Sequence, residues 1–516
     1  MSNQAKAEKP HTADNRQKIS VKSPLDGSLI GEVPSYTVEE AREKLAEVRQ
    51  AQPKWSQTSF SERSRIMHMF LKHLVRRSDE LAELISRETG KTLYESKVFE
   101  IMSLIQPTIY FANRAKNILK KKKISMSLSK NRASYLHYRP RGVVLVISPW
   151  NFPLSLPAGE VIMALFAGNG VLLKPSSLTP LIAYKLREVF DDAGLDKKLF
   201  QVISGSGQMA SDLIESGVDY VNFTGSSEVG KKVAEICGRK LTPCSMELGG
   251  KAPVIVCEDA DLEVASKSVV WGAFANSGQI CASVERVYVP ESIYDSFLEK
   301  VLSHARTIRQ GNPFKGEMDI GALTDPRQPG FLEDMLEEAR QKGAKILMGG
   351  RRSAQGNMFF EPTVVVDADE SMKVGREESF GPLLTIMKVK NEEEAIRRAN
   401  NSRYGLISYV FSKNSVKARK IAERLEAGSV MINEVLMCAG FPETPWQGVK
   451  ESGIGRVHSD EGLRDLTYPY HINYELFPLH LPVGYPYSLG KANLFLKALS
   501  QMNRGGLRKI ATTLFG

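Results

Sequence analysis

One cysteine of this chain stands in a stretch that leaves space around its sulfur. Cys281 lies in NSGQICAS, the residues from Asn276 to Ser283, and most of its neighbours are small. A cysteine that only fills a core usually has bulky apolar neighbours, whereas a reactive thiolate must be reachable. The sequence therefore leaves two interpretations of Cys281: a nucleophile or a small core residue.

Two further motifs carry groups that could assist a nucleophile. Asn151 in SPWNFPLS follows an apolar run and stands between two prolines, which stiffen the turn. A rigid amide N–H is what an oxyanion hole requires. Glu247 in SMELGGKAP precedes two glycines, and a buried carboxylate there could activate water. More often such an Asn satisfies its own turn and such a Glu faces solvent, so neither motif decides alone.

Two other motifs could bind a phosphate or a ribose. In FTGSSEVG, Gly225 and Gly230 bracket a predicted strand-to-helix turn, where free N–H groups and the helix dipole favour an anion. The pattern is not GxGxxG, and an ordinary turn is the alternative. Lys174 ends an apolar strand in LLKPSS. Ligands of open α/β folds gather at such strand ends, although a surface lysine would give the same sequence.

The elements that would position these motifs alternate along the chain. Helical periodicity covers about 38–49 and 61–111. The apolar runs GVVLVIS, GVLLKPS and YVNFTGS then predict buried parallel strands. APVIVCEDAD, FFEPTVVVDA and GPLLTIMKV continue the pattern in the second half. Such alternation predicts an α/β fold with a parallel sheet.

Composition bounds the class of protein. The chain has 516 residues, of which 42% are hydrophobic, so we expect a globular protein of more than one domain. It has no apolar run of about 18 residues for a transmembrane helix, and its polar start is not a secretory signal. Five cysteines without a CxxC pair fit free thiols in a reducing, cytoplasmic compartment. The eight histidines form no metal-binding motif, so we expect no metal.

The net charge of +10 is unevenly distributed. One basic run is Lys120 to Lys123, and the segment from Leu481 to Gly516 has five lysines and arginines but no acid. Solvated surface is one interpretation, and a peripheral contact with a membrane surface or an anionic partner is the other. No nucleic-acid recognition motif accompanies the charge, so we expect no nucleic acid as partner.

Taken together and in order, these motifs resemble the NAD(P)-dependent aldehyde dehydrogenase superfamily. The likeness runs from about Ser23 to about Tyr470, through SPWNFP, LLKPS, FTGSSEVG, MELGGKAP, NSGQICAS, EESFGP and FPETPWQGVKESGIGR. It implies oxidation of an aldehyde to a carboxylic acid with NAD or NADP, through a thiohemiacetal and a thioester on Cys281. Asn151 and the N–H of Cys281 would hold the oxyanion, and Glu247 would activate the water that hydrolyses the thioester.

The same resemblance implies a set of cofactor-binding residues. These are Trp150, Lys174, Ser177, Gly225, Ser226, Gly230, Leu248, Glu378 and Phe380. Lys174 would bind the adenosine ribose, Glu378 would bind the nicotinamide ribose, and Phe380 would pack beside the nicotinamide. Ser177, three residues after Lys174, is neutral where an acid would favour NAD, so we expect either NAD or NADP.

The resemblance also implies a variant Rossmann cofactor domain, an α/β catalytic domain and a small β extension that joins subunits into a homodimer or homotetramer. The predicted segments are a disordered arm at 1–20, the cofactor domain at 21–122 and 142–247, the catalytic domain at 248–455, the oligomerisation extension at 123–141 and 456–475, and a basic apolar tail at 476–516.

Two residues bear on the choice of aldehyde. Succinate semialdehyde enzymes carry an arginine for the distal carboxylate, and the two family positions hold Gly159 and Ala275 here. A buried carboxylate without a cation is costly, so we expect an aliphatic or otherwise hydrophobic aldehyde. Gly159 suggests an open entrance, and the tail could lie at a membrane interface.

Two alternatives stay open. The first is a semialdehyde or amino-aldehyde dehydrogenase. The second belongs to another class, a non-catalytic membrane-associated relative, and the presence of Cys281, Asn151 and Glu247 speaks against it.

Overall fold

The computed structural model describes residues 17–126, 129–478 and 485–502, which divide into two compact units. The larger unit contains the described residues up to Lys120 and those from Tyr138 to Tyr468. The smaller unit contains the described residues of 121–137 and those from Pro469 onward. The boundaries predicted between cofactor and catalytic domains fall inside the larger unit and stay predictions.

The described residues form the following strands and helices. In chain order the strands are β1 (Lys18–Lys22), β2 (Leu29–Pro34), β3 (Lys122–Ile124), β4 (Arg132–Pro140), β5 (Val143–Ile147), β6 (Gly170–Lys174), β7 (Phe200–Val202), β8 (Tyr220–Thr224), β9 (Cys244–Glu247), β10 (Ala252–Val256), β11 (Val284–Pro290), β12 (Lys345–Met348), β13 (Thr363–Val366), β14 (Leu383–Val389), β15 (Tyr404–Gly405), β16 (Ile407–Phe411), β17 (Ser429–Ile432), β18 (Val449–Lys450), β19 (Gly453–Ile454) and β20 (Thr467–Glu475). The α-helices are α1 (Val38–Ser56), α2 (Phe60–Arg76), α3 (Ser78–Thr89), α4 (Leu93–Glu95), α5 (Ile105–Ile118), α6 (Ser155–Phe166), α7 (Leu181–Asp192), α8 (Gly207–Glu215), α9 (Ser227–Lys240), α10 (Leu262–Phe274), α11 (Tyr294–Ala305), α12 (Gln328–Gln341), α13 (Lys373–Arg376), α14 (Glu392–Asn400), α15 (Ser415–Ala422), α16 (Ser459–Asp465) and α17 (Leu489–Met502).

The first large sheet is built from the apolar runs that the sequence predicts as strands. Its order is β19-β9-β8-β5-β6-β7, and all neighbours are parallel except β19 with β9. Every residue of β5 and of β6 is buried, because helices cover both faces of the sheet. The strands therefore end together at one edge, which places the residues that follow β5, β6, β8 and β9 side by side.

The second large sheet has the order β12-β13-β14-β11-β10-β16-β17. Its strands are parallel except for β12, which pairs antiparallel with β13. Continuous buried runs such as β11 show that this sheet is also covered on both faces. Two mostly parallel sheets joined by helices confirm the predicted α/β fold.

The smaller unit holds a three-stranded sheet of order β20-β4-β3, followed by helix α17. Ser134 and His471 are joined by a hydrogen bond of 2.6 Å, and the rings of Tyr135 and Tyr474 stack at 6.1 Å. Most side chains of β20, including Tyr470, remain exposed.

The predicted disordered arm was too long. Residues 1–16 lie outside the described part of the chain, but β1 starts at Lys18 and pairs antiparallel with β2. Val21 of this hairpin is buried, and its burial stabilises the strand. The polar residues that precede β1 gave no sign of a strand at this position. The predicted tail is described only up to residue 502. No helix in the described ranges is long and apolar enough to cross a bilayer.

Candidate active site

Cys281 lies between a strained turn and the start of β11. The turn, Ala275–Gly278, follows α10, and both Asn276 (φ 50°) and Ser277 (φ 54°) adopt the left-handed conformation. Residues with a Cβ rarely adopt the left-handed conformation, and such a strained backbone persists only where surrounding contacts stabilise it. One contact is the carboxylate of Glu95, which accepts the N–H of Asn276 at 2.6 Å. Gly278 (φ 73°) must be glycine, since a Cβ would overlap the carbonyl oxygen of Gly381.

Asn151 reaches the cysteine loop directly. It follows β5, is buried, and donates an N–H of its side-chain amide to the carbonyl oxygen of Gln279 at 3.0 Å. This contact brings the amide to within two residues of Cys281. An amide nitrogen carries two N–H groups, so this hydrogen bond uses only one of them.

A buried ion pair fixes the backbone of Asn151. The Nζ of Lys91 donates to the carbonyl oxygen of Asn151 and to Oε1 of Glu100, each at 2.6 Å. The other oxygen of Glu100 accepts the N–H groups of Leu154 (3.1 Å) and Ser155 (2.9 Å), at the start of α6. Lys91 and Glu100 are completely buried, and neither was predicted. In the sequence, Lys91 and Glu100 lie in a polar segment that is predicted to be helical. Charged residues there look the same whether they are buried or exposed to solvent.

Glu247 is the last residue of β9 and is buried. Among the described residues, neither oxygen of its carboxyl has a hydrogen bond of good geometry. Burial, and then the charge of Glu160, raises the pKa of Glu247 well above its usual value, while the side chain of Trp446 acts in the opposite direction. A Cβ on Gly250 would overlap the carbonyl oxygen of Cys281, so the loop after Glu247 touches the cysteine backbone.

The thiol of Cys281 is held in its neutral form. Burial, then the charges of Glu378 and Glu247, raises its pKa to about 12. The side chain is nevertheless only half-buried, whereas Cys237, Cys257 and Cys438 are fully buried. Because a thiolate is the reactive form, formation of the nucleophile requires a proton to leave Cys281.

The loop that contains Glu378 and Phe380 closes the other side of the site. Oε1 of Glu378 accepts the N–H of Gly250 at 2.9 Å, and burial raises the pKa of Glu378 to about 8. Phe380 adopts φ 47° and packs edge-on against Trp150, with ring centroids 5.3 Å apart. These two aromatic residues, predicted from motifs 230 positions apart, are in contact.

A second buried ion pair that was not predicted holds this loop. The Nζ of Lys251 bonds to the carboxylate of Glu285 and to the hydroxyl of Ser379, the latter at 3.0 Å. Glu285 also accepts the backbone N–H of Ser379 at 2.8 Å. Since Ser379 separates Glu378 from Phe380, this pair positions both. Lys251 belongs to the motif MELGGKAP, and membership in that motif is the only sequence feature that pointed to it.

Several of the predicted cofactor residues lie at the shared edge of the first sheet, around the start of α9. Ser226 caps α9 by accepting the N–H of Val229 at 3.4 Å, which leaves the helix N-terminus beside Gly225. A Cβ on Gly230 would overlap the side chain of Leu248, so Leu248 packs directly against this helix.

Lys174 ends β6 at the same edge of the sheet. Burial alone lowers the pKa of its ammonium group to about 8, and the structure shows no acidic partner for it among the described residues. Its carbonyl oxygen accepts the N–H of Ser148, three residues before Asn151. A buried cation and a helix N-terminus suit the hydroxyl and phosphate oxygens of a dinucleotide. Ser177 is exposed close by in sequence.

A largely apolar cavity of about 950 Å³ lies at the end of α10, just before the cysteine loop in the chain. Phe99, Trp271, Phe274 and Ala275 contribute to its wall, and the rings of Phe99 and Trp271 lie 6.3 Å apart. Separately, a Cβ on Gly159 would meet no atom within 4 Å, so there is open space above the first turns of α6. The positions of Gly159 and Ala275 therefore both border open volume.

Both the lysine and the arginine at this cavity already have an acidic partner. Lys267 contacts Glu263 at 3.1 Å. Arg309 bonds to both carboxylate oxygens of Asp319. Among the described residues that line the cavity, no cation is left for the distal carboxylate of a substrate.

Known proteins resemble this chain over most of its length. A profile of the aldehyde dehydrogenase family matches residues 11–472. A putative succinate-semialdehyde dehydrogenase [NADP(+)] 2 of Mycobacterium ulcerans is 34% identical over 93% of each chain. A 4,4'-diapolycopene aldehyde oxidase of Methylomonas sp is 38% identical over 87% of this chain and 84% of that protein. The structure of an NAD-dependent aldehyde dehydrogenase from Sinorhizobium meliloti superposes with a TM-score of 0.87, at 32% identity, over 91% of this chain and 93% of that one.

Proposed function

Because this chain belongs to the aldehyde dehydrogenase family, we propose that it oxidises an apolar aldehyde and that Cys281, Asn151 and Glu247 are its catalytic residues. The protein is an NAD(P)-dependent oxidoreductase that converts an aldehyde into a carboxylic acid. Relatives with NAD and with NADP in their names occur, and the neutral Ser177 fits either cofactor.

The geometry supports a division of labour among the three catalytic residues. Cys281 attacks the aldehyde carbon after losing its proton, and the second N–H of the Asn151 amide holds the oxyanion. When bound, NAD(P)+ accepts the hydride that leaves the former aldehyde carbon. Glu247 takes a proton from the water that hydrolyses the resulting thioester, and the carboxylic acid is released. Glu247 serves as a base only when ionised, so its raised pKa predicts hydrolysis that accelerates with increasing pH.

The cofactor residues fit the group that the family uses. Lys174 and the N-terminus of α9 would hold the ribose and phosphates, with Gly225, Ser226 and Gly230 allowing close approach. Glu378 would bind the second ribose, while Trp150, Leu248 and Phe380 supply apolar surface.

The observation that carries the substrate proposal is that both the lysine and the arginine at the apolar cavity are already paired with acids. A carboxylate placed there would lose its hydration without gaining a counter-ion, which is unfavourable. A hydrocarbon chain needs no partner and gains from leaving water. Relatives named for succinate semialdehyde and for diapolycopene aldehyde match about equally well. We therefore base the proposed substrate on the residues of the site and not on the names of the relatives. A semialdehyde or amino-aldehyde remains the second candidate.

A cation introduced at Gly159 is expected to change this preference. Gly159→Arg places a guanidinium in the open space above α6, where it can pair with a distal carboxylate. We expect the ratio of kcat/KM for succinate semialdehyde to that for hexanal to rise about 10- to 100-fold, the effect of roughly 1.4–2.8 kcal/mol. Initial rates of NAD(P)H formation across aldehydes of two to sixteen carbons measure it.

Gly159→Met is the matched control, because it fills the same space without charge. It should lower the rates with the longest aldehydes and leave the ratio for succinate semialdehyde nearly unchanged. A wild-type maximum at succinate semialdehyde would contradict the proposed apolar substrate, whatever the variants do.

The C-terminal segment supports a contact with an anionic membrane surface. Helix α17 exposes Leu489, Leu496 and Leu499, and exposed Tyr485 and Tyr487 precede it. Aromatic residues and leucines beside cations, with no acid from 481 to 516, suit the interface of an anionic bilayer. We place the protein in the cytoplasm, peripheral to such a membrane, where apolar aldehydes would be supplied. Assembly into a homodimer or homotetramer is a further expectation from the family.

Deletion of residues 481–516 is expected to reduce binding to vesicles that contain about 30% phosphatidylserine, with little change in kcat on a water-soluble aldehyde. The deleted segment has five cations, each worth about 1 kcal/mol at an anionic surface. Vesicle co-sedimentation at low and high salt measures the change. Vesicles of pure phosphatidylcholine are the control, and equal sedimentation of both proteins with anionic vesicles would refute the contact.

A further inference from the structure

A second carboxyl is buried beside the active site without a cation. Glu160 lies on α6 and is 8% exposed. Its one hydrogen bond among the described residues comes from the hydroxyl of Thr224, at 3.4 Å. None of the steps of aldehyde oxidation described above uses Glu160, although α6 starts at the loop that contains Asn151.

Strand pairing places Glu160 next to Glu247. Thr224 is the register partner of Glu247 in the parallel pair β8–β9. Paired residues on neighbouring strands lie about 5 Å apart and point to the same face of the sheet. Since the hydroxyl of Thr224 contacts Glu160, the carboxyl of Glu247 projects from that face toward α6 as well.

The titratable groups on the elements around α6 give neither carboxyl a cationic partner among the described residues. These groups are Arg63, Glu100, Lys174, Tyr220, His458 and Arg464. Arg63 bonds to the far end of α6 at Phe166, and burial keeps His458 neutral by lowering its pKa to about 4. Burial raises the pKa of Glu160 to about 8, and the hydrogen bond from Thr224 acts in the opposite direction.

We propose that Glu160 is a positioning residue that holds a proton on Glu247, as the second member of a buried carboxyl pair. Two like charges this close in a buried site cannot both form easily, so ionisation of one carboxyl keeps the other neutral. This inference rests on the proposed function, because it assigns Glu160 an effect on the base of that site.

A neutral Glu247 favours attack of the aldehyde by the thiolate of Cys281, but it slows the later hydrolysis of the thioester. The charge of Glu247 is one of the influences that raise the pKa of Cys281. While Glu160 keeps Glu247 protonated, the thiolate of Cys281 forms more readily, but hydrolysis of the thioester waits for Glu247 to ionise. Removing Glu160 should therefore change the two half-reactions in opposite directions, which a general loss of structure would not do.

The first test measures the thiol without turnover. Glu160→Gln keeps the shape of the side chain but cannot ionise, so Glu247 ionises at lower pH. We expect alkylation of Cys281 by iodoacetamide at pH 8.5, followed on its peptide by mass spectrometry, to slow about tenfold per unit of raised thiol pKa. In the double variant Glu160→Gln/Glu247→Gln the slowing should disappear. Glu160→Asp retains the charge and should behave like wild type.

The second test measures the base. The acid limb of kcat, under conditions where thioester hydrolysis limits turnover, should move about one to two pH units lower in Glu160→Gln. Slower alkylation without this displacement would uphold the carboxyl pair and overturn the proposed role of Glu247 as base. The two proposals thus fail separately.

Unchanged alkylation of Cys281 in a Glu160→Gln protein with the wild-type melting temperature would overturn the inference. If that variant does not fold, Thr224→Val serves instead. It removes the hydrogen bond that favours the charged form of Glu160, so alkylation should slow in the same direction by a smaller factor. Alkylation at the wild-type rate in Thr224→Val would then overturn the inference.

Discussion

Replacement of Cys281 by alanine is expected to abolish aldehyde oxidation, with a loss of at least about 10⁴-fold in kcat. Without the sulfur no thiohemiacetal forms, and the remaining groups have nothing to act upon. Since the side chain is small and half-buried, its truncation should leave the fold intact. Initial rates of NAD(P)H formation, compared with the melting temperature of the same preparation, measure the effect.

Cys244→Ala is the matched control, because Cys244 is also half-buried but lies at the opposite end of β9 from Glu247. It should retain nearly the wild-type rate. Turnover by Cys281→Ala above about one part in 10³ of wild type would show that another group bears the covalent intermediate, and the assignment of Cys281 would be wrong.

Replacement of Glu247 by glutamine should separate the two half-reactions. The amide has the shape of the carboxyl but cannot accept the proton of water, so the thioester accumulates. We expect a burst of about one NAD(P)H per active site, followed by a steady rate some 10²- to 10⁴-fold below wild type. Stopped-flow absorbance at 340 nm gives both phases, and mass spectrometry of the quenched protein should find the acyl group on Cys281.

The rate of the burst is the internal control, since Glu247 is not required for attack by the thiol. A burst as fast as in wild type is expected where Glu247 is protonated, and a faster one where it is ionised, because the glutamine then removes a negative charge from beside Cys281. Steady turnover at the wild-type rate would contradict the role of Glu247, and loss of the burst itself would assign Glu247 to the first half-reaction.

Much of the fold follows from local sequence pattern. The apolar runs that form β5, β6 and β8 could be predicted as strands, because a strand buried on both faces needs apolar residues throughout. The motifs around Asn151, Glu247 and Cys281 were equally visible, since turns at strand ends require prolines, glycines and small residues. The structure then brings all three motifs into contact.

The burial of four charged residues could not be predicted from the sequence pattern. Lys91, Glu100, Lys251 and Glu285 are ordinary surface residues by composition, and only the tertiary packing shows them to be fully enclosed. Their partners lie up to 128 residues away, a distance over which no periodicity operates. Glu160 was missed for the same reason, because an acid in a helix is normally solvated.

The turn before Cys281 gains its shape from distant parts of the chain, and this affects how the protein is made. Glu95 holds Asn276, 181 residues later, and the backbone of Thr89 accepts the hydroxyl of Thr324, 235 residues later. At about 5 to 20 residues per second, a ribosome needs roughly 10 to 50 s to supply that second partner. Until then the lysine and acids destined for the interior remain hydrated, and the groups that assist Cys281 are not yet held around it. Catalytic competence therefore appears late in synthesis, when the site can close.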